Sequence, residues 1–287
     1  MEITIQKSSL ECLPKYINLY RACFPSAQHL QSEYLSWFYW SNPVGAVVGA
    51  DAVCGEEVVG QVLAVPGKYW LRGEPVLGLI AVNVVVHPSF QGRHLFKRLG
   101  LRMCDYGAQH GYAFVTGVAN AAATPGWIRQ MGFQKVSPLE ARIGFGGLGV
   151  TDFQAVLSAS ELRHAWTPET LSWRANNPVN KVRFCSDESG NRLTAYASAG
   201  KYGISAFAEL WSDEKFTPSF TGGGMLPFMP RVFLGLVPMH QFRYNLVNIP
   251  ERFKPSPLNL IYKNLQDSKD RIDPSACFFN FLDFDAF

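Results

Sequence analysis

The run Leu79-Ile-Ala-Val-Asn-Val-Val-Val-His87 constrains this chain more than any other segment. It is almost continuously apolar and β-branched and too short for a buried helix, so it reads as a central strand covered on both faces. A His87-Pro88 turn closes it, and after Ser89-Phe-Gln-Gly-Arg-His94 a helix is expected from Leu95 to Gly111, with Leu95, Leu99, Met103 and Tyr106 as its apolar positions. Gly100 and Gly107 inside that helix each cost about 1 kcal/mol against alanine, which close packing on the sheet would explain. A loop feeding a helix N-terminus meets unpaired N–H groups and a partial positive charge. It can therefore cradle a pyrophosphate, with Arg93 adding charge.

Around this unit, a strand is expected at Ile3 to Gln6 and a helix at Leu10 to Cys23, with Leu13, Ile17 and Tyr20 on one face and Pro25 as its stop. A second helix, Ser32 to Trp40, ends at Asn42-Pro43. Apolar runs at Ala46 to Val48, Val58 to Val65 and Tyr69 to Leu71, split by Gly-Glu and Pro-Gly turns, read as an antiparallel meander. Tyr112 to Val118 reads as a strand, and a short helix after Asn120 reaches Met131-Gly132-Phe133 and leads into another strand. The chain also echoes itself. Leu35-Ser-Trp-Phe-Tyr-Trp-Ser-Asn-Pro43 resembles Leu171-Ser-Trp-Arg-Ala-Asn-Asn-Pro178, and strand-like runs follow each, at Val182 to Cys185, Leu193 to Ala197 and Ile204 to Leu210 in the second copy. A repeat at about 136 residues is too long for a solenoid and suggests two related domains. The glycine-rich Gly144-Phe-Gly-Gly-Leu-Gly149 is the expected linker, and Phe278 to Phe287 is expected as a last apolar strand carrying Asp283 and Asp285. The fold class that follows is α/β (α+β), with a mixed, largely antiparallel sheet flanked by helices in each of two tandem domains, residues 1–145 and 146–287.

Composition limits the partners. A length of 287 residues exceeds the usual domain of about 100 to 200, and 47% apolar with 17% charged residues is globular rather than disordered or fibrous. The formal charge of +3 mildly favours an anionic ligand, but no Lys/Arg run could track a phosphate backbone, so nucleic acid is not an expected partner. Six cysteines are scattered without a C-x-x-C pair or a histidine at metal spacing; they read as buried thiols in a reducing compartment, and no metal is expected. No window approaches 18 uninterrupted apolar residues, and the opening Met-Glu-Ile-Thr-Ile-Gln-Lys lacks a basic region followed by an apolar stretch. No membrane span and a cytoplasmic location are therefore expected.

The loop is also specific. Gln91, Gly92, Arg93, His94, Leu95 and Phe96 occupy the six positions of Gln/Arg-x-x-Gly-x-Gly/Ala, and in its place after a strand and a His-Pro turn this stretch resembles the acyl-CoA loop of the GNAT superfamily of N-acetyltransferases. His94 and Phe96 stand where that superfamily has small residues, but backbone N–H groups, which bind the phosphates, remain. Asn120-Ala-Ala-Ala-Thr-Pro-Gly-Trp-Ile-Arg-Gln-Met-Gly-Phe133 resembles the superfamily's Asn-x-x-Ala/Ser stretch ending in Leu-Gly-Phe. The resemblance implies two GNAT-like domains, the second degenerate: neither Trp211-Ser-Asp-Glu-Lys-Phe-Thr-Pro218 nor Gly222-Gly-Gly-Met225 is a phosphate loop. It implies acyl-CoA, acetyl or short-chain, as co-substrate, held by Val84, Val85, Val86, Gln91 to Phe96, Asn120, Ala123 and Trp127.

In that superfamily the pantetheine fills a gap beside the central strand and a backbone N–H polarises the thioester carbonyl. Here the donor is expected from Val84, Val85 or Val86, Val85 foremost. The strand holds no carboxylate, and Ile128 replaces the tyrosine that usually protonates the leaving thiolate. A thiol with pKa near 8.5 leaves adequately without an acid, and a water chain can take the amine proton. Asn83 and His94 are the side-chain candidates for catalysis, with His87 a further possible base; the alternatives are a satisfied buried amide for Asn83 and a structural loop role for the histidines. Trp37 and Trp40 lie where the superfamily's second helix lines the acceptor pocket, a core helix being the alternative; Trp173 and Arg174 hold the matching place in the second copy. With Asn83, these are the expected acceptor residues.

Two related halves, one with the CoA motifs and one without, resemble the two-domain nucleotide-sugar N-acyltransferases of bacterial surface-polysaccharide pathways. The Trp-rich Asn-Pro segment and Asp283-Phe-Asp285 add to that likeness. It implies direct attack on the thioester by the amine of a nucleotide-linked amino sugar. The alternatives are another small amine or amino acid as acceptor, or a CoA-binding module without catalysis. A homodimer is left open.

Overall fold

The apolar run is the inner part of a 13-residue strand, β4 (Glu74–Val86). The computed structural model describes residues 2–187, 190, 192–200, 203–211, 229–239, 245–254 and 256–284. Its elements in chain order are β1 (Ile3–Lys7), α1 (Leu13–Cys23), α2 (Ser32–Trp40), β2 (Val48–Cys54), β3 (Glu57–Leu71), β4, α3 (Leu95–Gln109), β5 (Phe114–Ala119), α4 (Thr124–Met131), β6 (Gln134–Pro138) and β7 (Glu140–Gly144). Then follow α5 (Phe153–Ser158), β8 (Leu162–His164), α6 (Pro168–Ala175), β9 (Arg183–Ser186), β10 (Arg192–Ser198), β11 (Ser205–Trp211), β12 (Arg231–Leu236), β13 (Leu246–Asn248), β14 (Asn259–Asn264) and β15 (Cys277–Asn280). The class observed is the mixed α/β class expected. Among the described residues no helix is long and apolar enough to cross a membrane.

Two compact units form: Met1–Lys68 with Val76–Ser137 and Leu258–Arg271, and Tyr69–Pro75 with Pro138–Pro257 and Ile272–Phe287. A cut after residue 145 would leave Leu258–Arg271 in the second half, yet these residues pack in the first unit. There, β1, β2 and β3 pair antiparallel, β4 lies beside β3, and β4 and β5 pair parallel. β14 then pairs antiparallel with β5 from Asn259↔Ala119 to Asn264↔Phe114, and β6 lies beyond it. Leu95, Leu99 and Met103 of α3 and Trp127 and Met131 of α4 bury themselves against Ala50, Val62, Leu79 and Val115 of the strands. A Cβ on Gly100 would collide with Met131 Sδ and one on Gly107 with Leu79 Cδ1, which is the close packing those glycines suggested.

In the second unit β7 pairs with β12 and β13, β11 pairs parallel with β12, β10 lies antiparallel between β11 and β9, and β15 joins β12 to β8. The echo has a structural counterpart. Asn42 after α2 accepts through Oδ1 from Val44 N at 3.0 Å, and Asn177 after α6 accepts from Val179 N at 2.9 Å, so each helix is stopped by the same asparagine turn.

Three expectations are corrected. The meander's second and third runs are one strand, β3, because Pro66-Gly67 stays extended; the Pro66 carbonyl accepts from the buried Asn42 Nδ2 at 2.7 Å. The glycine-rich 144–149 stretch is packed: Gly144 ends β7, and a Cβ on Gly147 would strike Glu209 Oε1. The last strand stops at Asn280, where Asn280 Oδ1 accepts from Leu282 N and Asp283 Oδ2 from Asn280 N at 2.6 Å, starting a 3-10 turn at Phe281–Asp283. Asp283 is buried there, while Asp285, 212–218 and 222–225 lie outside the described residues.

Candidate active site

The gap beside β4 arises from one residue. β4 and β5 pair only from Gly78↔Phe114 to Ala81↔Gly117, although β4 runs on to Val86. Asn83 has φ 44°, left-handed backbone in the middle of a strand, which asparagine tolerates better than its valine neighbours. Leu79 and Ala81 face the core between sheet and helices, but beyond Asn83 it is Val84 and Val86 that do so. A change from odd to even numbers on one face is the mark of a single extra residue, a β-bulge, and a bulge bends its strand. β5 keeps its partner β14 as far as Ala119, so β4 is the strand that parts company.

The amides on the open edge can be assigned by alternation. His87 N–H donates to Val59 O of β3 at 2.9 Å, so Val85 N–H, two residues back, also faces β3. Val84 and Val86 present theirs to the gap. This corrects the expectation for Val85, whose side chain is buried and whose amide points away from the opening.

Beyond β4, a 3-10 turn at Pro88–Phe90 reverses the chain. His87 Nδ1 accepts from Ser89 N at 3.2 Å and Phe90 N–H donates to His87 O at 2.8 Å, so His87 holds the turn. Gln91 Nε2 donates to Val86 O at 3.4 Å. Gly92 (φ 75°) and His94 (φ 57°) are both left-handed, and the space over Gly92 is open. His94 is the N-cap residue of α3 without a side-chain cap, and Arg98 N–H is the first to bond back, to His94 O at 3.1 Å. The amides of 92–97 have no hydrogen-bond acceptor among the described residues. Gln91, Gly92, Arg93 and His94 are exposed, and the Arg93 guanidinium lies 5.1 Å over the Phe90 ring. A row of N–H groups without an internal acceptor at a 15-residue helix start, with the exposed Arg93 beside it, has the chemistry to receive an anion. Leu95 is buried. Phe96 turns inward edge-to-face onto Trp127, ring centroids 5.4 Å apart, in room left by Gly126.

The second segment is held from its asparagine. Asn120 Oδ1 accepts from Ala123 N at 2.9 Å, and Asn120 O accepts from Thr124 N at 3.0 Å and Thr124 Oγ1 at 2.7 Å. Thr124 Oγ1 accepts in turn from Asn259 Nδ2 at 3.0 Å, so a residue of β14 braces the start of α4. Trp127, expected at the cofactor, is 3% exposed and packs edge-on against Phe96 and Phe133.

The aromatic helix α2 is chiefly core. Trp37 is 9% exposed and packs against Tyr34 and Phe38, while half-buried Trp40 stacks on Tyr16 at 6.4 Å. Asn83 Nδ2 donates to Tyr39 OH of the same helix at 2.5 Å, a contact that neither spacing nor motif announced. No hydrogen bond or ring contact among the described residues joins His94 to Asn83. In the second unit Trp173 and Arg174 are both buried, with the Arg174 guanidinium 4.6 Å over the Trp173 ring. No group of three or more His, Cys, Asp or Glu side chains among the described residues is placed to hold a metal.

An acetyltransferase (GNAT) domain family matches residues 4–136. No curated protein matches the sequence. Among solved structures, the GCN5-related N-acetyltransferase from Kribbella flavida is similar at 14% identity and TM-score 0.60, covering 92% of this chain and 72% of that one. The GCN5-related N-acetyltransferase from Anabaena variabilis is similar at 10% identity and TM-score 0.60, over 92% and 73%. A conserved protein of unknown function from Enterococcus faecalis is similar at 10% and 0.51, over 93% and 73%. At these identities the structures speak for the fold alone; the family match spans β4, the loop and α4. Residues 4–136, a little under half of the 287-residue chain, match the GNAT acetyltransferase domain family, and this segment is what the chain shares with it.

Proposed function

We propose that the protein moves an acetyl or short acyl group from CoA to the primary amine of a small acceptor, and that this acceptor is a nucleotide-linked amino sugar. The observation that carries the donor half is the open edge of β4 running into an exposed, basic helix N-terminus. The pyrophosphate takes the amides of the Gln91–Phe96 loop with Arg93, and the pantetheine runs along β4 past Asn120 and Ala123. Val84 or Val86 N–H polarises the thioester carbonyl. The amine attacks that carbon, the C–N bond forms as the C–S bond breaks, water takes the amine proton, and the CoA thiolate leaves and is protonated from solvent. Without a carboxylate on β4 from residue 79 onward, nucleophile activation falls to solvent and to the polar edge at Asn83. The acceptor half rests on the two-part chain with one degenerate copy.

Calorimetric titration with CoA tests the donor half. Wild type binds, and Gly92→Trp, which fills the open space over the loop, does not; a wild type that fails to bind refutes it. Thiol release from acetyl-CoA with a panel of nucleotide-linked amino sugars and simple amines tests the acceptor. If no sugar in the panel yields an amide, the acceptor assignment falls and the donor site stands.

A further inference from the structure

A buried chain of hydrogen bonds starts at the bulge and ends on a carboxylate. Asn83 Nδ2 donates to Tyr39 OH at 2.5 Å, and Tyr39 and Tyr20 share a bond of 2.9 Å. Tyr20 OH donates to Gln61 Oε1, and Gln61 Nε2 donates to Asp51 Oδ1 at 2.8 Å. Asp51 also accepts from Ser8 Oγ and from Tyr16 OH, each at 2.6 Å. Asp51 and Gln61 face each other across β2 and β3, and both are wholly buried.

The direction of this chain is fixed from its far end. An ionised carboxylate only accepts, so Gln61 must turn its NH2 to Asp51 and its oxygen to Tyr20. Tyr20 then gives its single proton to Gln61 and must accept from Tyr39. Tyr39, its proton committed, can only accept from Asn83, which therefore points Nδ2 inward. Asn83 Oδ1 is left outward, on a half-buried residue at the start of the open edge, with no donor among the described residues.

We propose that Tyr39 is a positioning residue which, tied through Tyr20 and Gln61 to the Asp51 carboxylate, fixes the Asn83 amide with its carbonyl oxygen open as acceptor for an N–H of the attacking amine. This rests on the acyl-transfer reading above. The oxygen orients the amine lone pair toward the thioester carbon on a part of β4, residues 79–86, that has no carboxylate. Burial pushes the Asp51 carboxyl above its usual range, and the bonds from Ser8, Tyr16 and Gln61 pull it back, so convergent donors are what keep it able to set the direction.

The test is a double-mutant cycle read in thiol release at saturating acetyl-CoA and amine. Tyr39→Phe should lower kcat on the order of ten- to a hundredfold, the scale of one lost orienting hydrogen bond, with CoA affinity held within about twofold. Made on Asn83→Gly, where glycine keeps the left-handed backbone without the amide, Tyr39→Phe should cost nothing further. Asp51→Asn should reduce kcat by an intermediate factor. An unchanged kcat in Tyr39→Phe, or losses that simply multiply in the double variant, overturn the proposal. Solvent exchange of the Asn83 side-chain NH2, followed by NMR, separates this failure from failure of the functional reading. Slow exchange that becomes fast in Tyr39→Phe upholds the relay, fast exchange in wild type overturns it, and slow exchange in a protein that binds no CoA refutes the acyl-transfer reading and the role for Asn83 with it.

Discussion

Replacing Gly126 by alanine should destabilise the first unit, although helices ordinarily favour that change by up to about 1 kcal/mol. The added Cβ would lie under 3.0 Å from Phe96 Cε1, 3.2 Å from Cδ1 and 3.4 Å from Cζ, so it meets a whole ring edge rather than a flexible tip. That ring is held edge-to-face at 87° to Trp127, and Trp127 is itself packed against Phe133. Either the ring shifts into a filled core, at about 1 to 3 kcal/mol, or it swings out and forfeits an aromatic contact of about 0.5 to 1.5 kcal/mol with its burial. Set against the helix gain, a net loss of about 1 to 2 kcal/mol is expected in urea unfolding. CoA affinity should fall as well, because Phe96 sits in the first turn of α3. Phe96→Leu made in the same protein should recover part of both losses, with a coupling of at least about 1 kcal/mol. A Gly126→Ala protein as stable as wild type would refute the idea that Gly126 is there to admit Phe96.

Two further predictions follow from single contacts. Asn259→Ala removes the buried bond to Thr124 Oγ1 and should cost about 1 to 2 kcal/mol, visible as faster hydrogen exchange at the start of α4; unaltered exchange there would show that β14 does not brace the segment. His164 is buried beside Asp283, and burial holds its pKa below the usual 6.5 despite the 3.1 Å bond to that carboxylate. The unfolded chain therefore takes up this proton first. Stability should be unaffected above pH about 6.5 and decline below it by up to about 1.4 kcal/mol per pH unit, until the folded ring titrates too. His164→Gln should flatten that acid limb, and an unchanged slope would contradict the assignment.

Much of the strand, turn and helix that frame the proposed donor site was legible because the signals are local. A β-branched run, a His-Pro turn, a glycine and an amphipathic helix all follow one another between Leu79 and Gly111, and helix α2 was bounded by its own Asn-Pro stop. The bulge was not legible, because a strand apolar on both faces has no alternation in which a one-residue slip could show. Asn83 alone hinted at it, as a residue that tolerates left-handed backbone. Trp127 misled by lying beside the Ile128 position, whereas its spacing from Met131 already put both on one buried helical face. The relay was half-written: Asp51 and Gln61 are polar residues inside apolar runs, but only the β2–β3 register makes them partners. The pairing of β14 with β5 joins residues far apart in the chain and leaves no periodicity to read.

That pairing also governs the order in which the protein can be made. Nascent domains usually fold from the N-terminus as they emerge, but the first unit lacks β14 until Pro138–Pro257 has been synthesised. At about 5 to 20 residues per second, those roughly 120 residues occupy on the order of 6 to 24 s. For that interval the edge of β5 stands unpaired on the ribosome, a surface for stray strands or chaperones, and the proposed CoA site lacks its brace from Asn259. The proposed donor site thus becomes complete only after Leu258–Arg271 has been translated.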